Sequence, residues 1–525
     1  MYHINSKVDK PDTSYLLNQV RLMMKRGIKV GNLKELYNLC LEDQYDYAKD
    51  IQTKYGIINP NSSMQVIGYL DSMNDPNVVE ACVINGKWTS NKASLQILES
   101  MGYEIGADLI RYRTAKKYAD SIKSMMDVTD SKGFIHPEVT LTKTNRISYK
   151  NPAIMNIPKA LLWGAVVPTQ PGNVLISADI KNQEPNIMIN MNNIKSLKPA
   201  LDSDEGLYEA IFSQIPVYGR MNLIFDNKET PGILDNEELR LRGIQPIFYT
   251  PKPAPFGGIM VHGHEVRLID VINFVSPIGV VPTYPTKIWV VAANNCEYEV
   301  DIVFNVDLDK PANKKKFLNG GIIEVDGIIT GVTVKCEGNV RKDFKRAWNA
   351  MTYGASKLGV RQMCHHIDGD TIYDYFTKIP ELKVYRDQCT KLANAGIQNI
   401  KTYFGTELYA NEYNTKVLKR VLLDLPIQGT AADILSLLVK HFNEEVAKRG
   451  YASQLSIYYT RHDELIIEAG KDMLDDIGLA GVIAEIRDIV EHQVDDWTPF
   501  KLEVGPVESL SISDIISESS DEDEQ

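Results

Sequence analysis

Between residues 14 and 55 apolar side chains recur at steps of three and four, as in "SYLLNQVRLMMKRGIKV". That is the spacing of one helix face, and Gly27 ends the first run. "NPNSSMQVIGYL" (59–70) reads as a polar loop capping another helix. "SLQILESMG" and "ADLIRYRTAKKYADSIKSMM" are further helices, the second basic along one side. From 131 the texture changes. "GFIHPEVTLTKTNRIS" and "GNVLISADI" are rich in β-branched residues and bounded by Gly and Pro, which predicts strands. "GLYEAIFSQI" (206–215) returns to helix.

The chain from about 217 to 337 alternates and is dense in Gly and Pro, so it reads as a separate, mainly β module. Within it, "IIEVDGIITGVTVKC" predicts a hairpin turning at Asp326-Gly327. Helix resumes at 338–360 and runs again through about 400. "PIQGTAADILSLLVKHFNEEVAKRG" (426–450) predicts a helix opened by a capping box, Thr430 with Asp433. Two β-type runs, "LSIYYT" and "ELIIEA", then flank the polar knot Arg461-His462-Asp463-Glu464, and a helix follows over 472–493. No internal repeat is evident.

Composition narrows the class. A chain of 525 residues, 44% hydrophobic and 24% charged, suggests a large globular enzyme of several lobes. No run of about 18 apolar residues predicts a membrane span. The first residues lack an apolar signal core, so secretion is not expected. Six scattered cysteines without a CxxC pair fit a reducing compartment, and cytoplasmic localisation is expected. The net charge of −12 argues against a polyanion partner until its placement is considered. Seven acids lie after residue 507 with no basic residue among them, and they account for all but −5 of the total. The basic runs 111–123 and 341–346 remain, and local fields decide nucleic-acid binding. The tail 508–525 is expected to be disordered.

Three clusters carry candidate chemistry. Asp179 ends an apolar strand, and Glu184 starts a helix five residues on. Arg341, Lys345, Asn349, Thr352, Tyr353 and Ser356 share one helix face, where two cations a turn apart suit a triphosphate. It is not a Walker loop, because no GxxxxGK[ST] occurs. The knot at 461–464 sets two carboxylates beside a histidine. Taken one at a time, these read as solvated strand ends, a solvated basic face and a solvated turn.

Taken together and in order, they resemble the family A DNA polymerases, the family of bacterial DNA polymerase I. Asp179 and Glu184 look like the ends of the family's Asp-Tyr-Ser-Gln-Ile-Glu motif, with Ile180-Lys181-Asn182-Gln183 replacing its middle. Arg341, Lys345, Tyr353 and Gly354 resemble its fingers motif, Arg-x3-Lys-x7-Tyr-Gly. "HDE" (462–464) matches the second palm motif, and "PIQGTAADI" (426–434) the stretch before it. "RISYKNPAIMNIP" (146–158), "NPNSSMQ" (59–65) and "FKLEVGP" resemble further family segments, so the likeness runs from about 15 to 506, interrupted by the β module.

The resemblance implies an α+β right-hand polymerase fold. Its parts are an N-terminal helical part of the palm (1–45), thumb (46–125), palm (126–190), fingers (191–404) with the β module inserted at about 217–337, and palm again (405–507). It implies a DNA-templated DNA polymerase that extends a primer with dNTPs. Two Mg²⁺ ions, or Mn²⁺ in their place, would be bridged by Asp179 and Asp463 with the Ile180 carbonyl as a backbone ligand. Glu464 would support the metal site. Arg341 and Lys345 would grip the triphosphate, with Lys345 also protonating the leaving pyrophosphate, and Tyr353 would stack near the templating position. Glu184 would crowd the ribose 2′ position and so favour deoxynucleotides. Arg146, Arg420, Gln428, His462, Asn59 and Ser62 would contact primer-template DNA. Trp348 and Asn349 depart from the family's Asn and aromatic residue, so no role in packing on the incoming sugar is carried over. A monomer of a small, phage-type replication system is expected, acting in the host cytoplasm. The β insertion or the acidic tail would offer a docking surface for a replication partner. No exonuclease is expected in the same chain. Alternatives are a single-subunit RNA polymerase or primase-like enzyme, which Glu184 and "HDE" oppose, and an inactive primer-template-binding homologue.

Overall fold

The computed structural model describes residues 11–84, 86–100, 103–203, 206–212, 339–364, 369–397, 399–410, 415–491, 500 and 502–507, with strand and short helical segments between 218 and 336. It divides into two compact units. One comprises Asn192–Lys391, and the other Tyr2–Met191 with Leu392–Gln525.

The second unit is built on a four-stranded antiparallel sheet. Its order is Leu455–Arg461, Glu464–Ala469, Val174–Ile180, Leu502–Pro506. The middle strands are buried almost throughout, and Glu464–Ala469 is buried at every position. Continuous burial needs cover on both faces, which is why these strands read as apolar runs and not as alternation. The helices Thr13–Arg26, Thr415–Lys448 and Lys471–Val490 pack against this sheet. The first helix is capped by Asp12, whose carboxylate accepts from the Tyr15 N–H at 2.9 Å, and it stops at Gly27 with φ +91°. A separate helical cluster packs Ile51, Val66, Leu70, Leu95, Leu98, Leu109 and Tyr112 together. It joins Leu33–Tyr55, Ser63–Ser72, Lys92–Ser100 and the 25-residue helix Glu104–Val128.

The expected helix start at Thr430 is not a start. Thr415–Lys448 is one helix running through Pro426. Thr430 sits inside it and donates to the Pro426 carbonyl at 2.6 Å. Asp433 reaches away from the helix, accepting from the Thr406 hydroxyl at 2.9 Å and from the Thr402 hydroxyl. Tertiary partners have taken the groups that a capping box would use. Gly429 is required by close approach. A Cβ there would lie 2.3 Å from Leu408 Cδ1 and 2.9 Å from Thr402 Cγ2. Val417–Lys448 is long and apolar enough to cross a membrane, but 78% of its apolar window is buried inside the protein, as befits a core helix.

In the other unit, Asn339–Thr352 turns Phe344, Ala347, Trp348 and Met351 inward. Trp348 meets Phe376 edge-on at 5.0 Å and Phe344 at 6.1 Å. Trp348, which stands where the family has Asn, is thus a core residue. The described strands from Tyr218 to Cys336 form two antiparallel sheets, one of six strands and one of four. The hairpin expected to turn at Asp326-Gly327 differs. Gly321–Glu324 does pair with Val332–Cys336, but Asp326 and Gly327 pair instead with Asn305 and Phe304 of the other sheet. Most of the segment "KPANKKKF" (310–317), whose lysines would offer a phosphate contact, and all of the tail from 508 lie outside the described residues.

Candidate active site

The hairpin Leu455–Ala469 turns through two residues, His462 and Asp463, since Arg461 pairs directly with Glu464. His462 takes φ +52° while Asp463 is not in that region, the pattern of a two-residue turn whose first central position usually calls for glycine. A histidine there is strained by about 1–3 kcal/mol, and such strain is found where a site over-determines the backbone. Between Ile457 and Tyr459 the register shifts, leaving a bulge at Tyr458. Arg26 fills the gap, donating to the Ile457 and Tyr458 carbonyls at 2.7 and 3.1 Å. Tyr149 donates to the Thr460 carbonyl at 3.0 Å, and Arg461 to the Ile157 carbonyl at 3.1 Å. Arg461 is therefore a buried anchor of the turn.

The neighbouring strand brings the carboxylates together. Asp179 lies directly opposite Glu464 in the sheet and opposite Glu503 on its other side. Ile180, the strand's last residue, is buried and pairs with Leu502. Glu464 is only 2% exposed. One of its oxygens is held by Ser177 and by Lys159 at 2.8 Å, while Oε2 is buried without a hydrogen-bond partner among the described residues. Lys159 also reaches Asp179 at 3.1 Å. Asp463 follows in the turn. Burial and the Asp179 charge beside it push its carboxyl up to about 7. Burial also raises the Glu464 carboxyl, against the opposing pull of Lys159. His462 keeps an exposed edge at the bend. Desolvation of its ring and the Arg461 and Arg146 guanidinium groups push the imidazole down to about 4, so it is neutral at pH 7.

Glu184, in the helix Gln183–Met191, is ion-paired with Arg146, each side chain about a quarter exposed. Gln428 lies in the long helix and hydrogen-bonds Asp424, whose carboxyl is pushed up to about 7 by burial and by the Glu184 charge. Asp179, Glu184, Asp463, Glu464, His462, Arg146 and Gln428 thus form one neighbourhood. Arg420 is exposed on the same long helix. Asn59 and Ser62 lie apart from it, in the helical cluster. Ser62 caps Ser63–Ser72, and Asn59 shapes the turn before it by accepting from the Asn61 N–H at 3.0 Å. Nearby, a cleft of about 420 Å³ is lined by Asn61, Arg113, Lys116, Lys117 and Asn156, with Asp120 as its one acid. Arg341, Lys345 and Tyr353 belong to the other compact unit. Arg341 stacks over the Tyr208 ring at 5.5 Å, and the Tyr353 N–H bonds the Asn349 carbonyl at 3.2 Å.

Sequence reasoning missed Lys159, Asp424, Ser177 and Arg26. Lys159 directly follows the quoted "NIP" segment, and Asp424 sits four residues before Gln428, one helical turn away. No spacing pattern pointed to Ser177 or Arg26, because one acts across two strands and the other from a helix end onto a strand more than 400 residues away in sequence.

Asp179 and Asp463 suit a hard divalent ion. They are oxygen donors, and a cation would offset the burial and the mutual repulsion that raise the Asp463 carboxyl. Among the described residues no group of three or more His, Cys, Asp or Glu side chains is placed to hold a metal. An ion held by these two carboxylates would need substrate phosphates and water to complete its shell.

The sequence matches the family model "DNA polymerase family A" over residues 31–220 and 328–506. The break between these stretches covers most of the strands between Tyr218 and Cys336. DNA polymerase I of Chloroflexus aurantiacus is 26% identical over 178 residues, which is 32% of this chain and 18% of that protein. DNA polymerase I of Lactococcus lactis is 24% identical over 173 residues, 31% of this chain and 19% of that protein. The chain thus matches less than a fifth of the length of these two relatives. Among solved structures, the POL domain of Pol1 from M. smegmatis, in complex with DNA primer-template and dNTP, superposes with a TM-score of 0.61. The match has 17% identity and covers 94% of this chain and 69% of that one, so the fold is shared.

Proposed function

The chain belongs to the family A DNA polymerases, and on that premise we propose that it extends a primer 3′ end with deoxynucleotides on a DNA template. The observation that carries this reading is the meeting of Asp179 with the Asp463-Glu464 turn at one end of the sheet. Asp179, Asp463 and the Ile180 carbonyl would hold two divalent ions, Mg²⁺ or Mn²⁺, which supply Lewis-acid stabilisation of the attacking and leaving oxygens when bound. Glu464, held by Ser177 and Lys159, would be a supporting carboxylate. Arg341 and Lys345 would hold the triphosphate, Lys345 would give a proton to the leaving pyrophosphate, and Tyr353 would stack near the templating base. Glu184 would exclude a 2′-hydroxyl, and its pairing with Arg146 fixes where its carboxylate stands. Arg420, Gln428, His462 and the basic cleft would take the primer-template near its end, with Asn59 and Ser62 farther along the duplex. The strands between 218 and 336 would form an insertion in the fingers.

Primer extension with Mg²⁺, comparing dNTPs with rNTPs and including Asp463→Asn, tests this reading. Extension with dNTPs that Asp463→Asn abolishes supports it. Equal use of rNTPs points to an RNA polymerase, and no extension by the wild-type protein points to a homologue that only binds DNA.

A further inference from the structure

Lys159 is placed against its local preference. It is the first residue of the short helix Lys159–Ala165, where the unsatisfied N–H groups disfavour a cation. Its side chain is only 22% exposed. Two carboxylates hold it there, Asp179 at 3.1 Å and Glu464 at 2.8 Å, and the Trp163 ring one turn on supports the ammonium at 4.6 Å. The two carboxylates face each other across the sheet. Without a cation between them, their repulsion would splay the end of the sheet.

We propose that Lys159 is a built-in counter-ion that holds Asp179 and Glu464 in place in the metal-free protein and competes with the divalent ion for Asp179. This rests on the reading of Asp179 as an ion ligand. A carboxylate oxygen engaged by an ammonium is partly neutralised and is a poorer ligand for a hard cation. Lys159 engages one of the two Asp179 oxygens, so an incoming ion works against its charge and weakens that contact. Lys159 keeps Glu464 and the Trp163 face but loosens from Asp179, so one side of the ammonium opens to small reagents while the residue stays in the site. The residue thus sets how much divalent ion the site requires, and it keeps the sheet end assembled when the ion leaves. It is a positioning residue, since nothing in this role asks it to touch substrate.

The test is direct binding of Mn²⁺ to the full chain, followed by the loss of the free-ion paramagnetic resonance signal. Wild type, Lys159→Met, Lys159→Arg and Asp179→Asn are compared. Lys159→Met should bind Mn²⁺ about ten times more tightly than wild type, and Lys159→Arg should bind like wild type. Mn²⁺ should also raise the melting temperature of Lys159→Met more than that of wild type. Binding by a folded Lys159→Met that equals or falls below wild type overturns the proposal. If Asp179→Asn binds Mn²⁺ as wild type does, Asp179 is not the ligand, and the reading beneath the proposal fails instead. Lysine footprinting of the wild-type protein gives a second measurement that does not depend on a variant folding. Saturating Mn²⁺ should raise the rate of reductive methylation at Lys159 several-fold while other lysines stay constant. An unchanged Lys159 rate overturns the proposal.

Discussion

Replacing Asp433 with asparagine should change how the stability of this protein depends on pH. Asp433 is 1% exposed, and its two oxygens accept the Thr402 and Thr406 hydroxyls. Burial pushes its carboxyl from an ordinary 3.8 up to about 7, because two neutral hydroxyl donors do not replace the water lost. The folded value is raised above the unfolded one. The folded protein therefore keeps a proton between 3.8 and about 7 that the unfolded chain has released. Stability is lost as pH rises through that window and levels off above it. Integrating over it, the ionisable group should cost the folded state about 2.5 kcal/mol more at pH 8 than at pH 5. The asparagine side chain has the same shape, with one acceptor and one donor at its head, and it does not titrate. Urea unfolding of wild type and Asp433→Asn at pH 5, 6, 7 and 8 gives the difference directly. The variant should gain on the wild type by about 2–3 kcal/mol across the series, with most of the change below pH 7. A difference that stays flat within about 0.5 kcal/mol would show that the two threonines hold the carboxylate charged, and would refute the reasoning.

Arg26→Met keeps the aliphatic stem but removes the donors that serve the bulge carbonyls of Ile457 and Tyr458. It should cost about 1–3 kcal/mol in urea unfolding and speed amide exchange in the strand Leu455–Arg461. Trp348→Ala empties a site between Phe344 and Phe376, so a loss of about 3–5 kcal/mol is expected, read by thermal unfolding of the full chain.

Local structure was largely legible in the chain, because it follows from local rules. The helix ending at Gly27, the Ser62 cap and the buried strand Val174–Ile180 all appear where spacing and turn residues place them. So does the hairpin around residues 461–464. The misjudged turns share a cause. Thr430 with Asp433 has the letters of a capping box, and Asp326-Gly327 those of a hairpin turn. In each case a neighbouring segment claimed the groups first, Pro426 with the 402–406 turn in one and the Phe304–Asn305 edge in the other. Propensity states what a segment does when nothing else binds it.

The sequence by itself determined the family, the order of the motifs and which carboxylates stand at the ends of strands. Only the tertiary structure decided how those charges are balanced. Sheet register sets Asp179 against Glu464, which are 285 residues apart in sequence. Packing of the Lys159–Ala165 helix puts an ammonium between them, and a bulge held by Arg26 sets the strand that leads to His462 and Asp463. Periodicity reports which face of a segment leaves water. Register and packing fix which charges then meet in that dry interior, where a few ångströms decide between repulsion and a site.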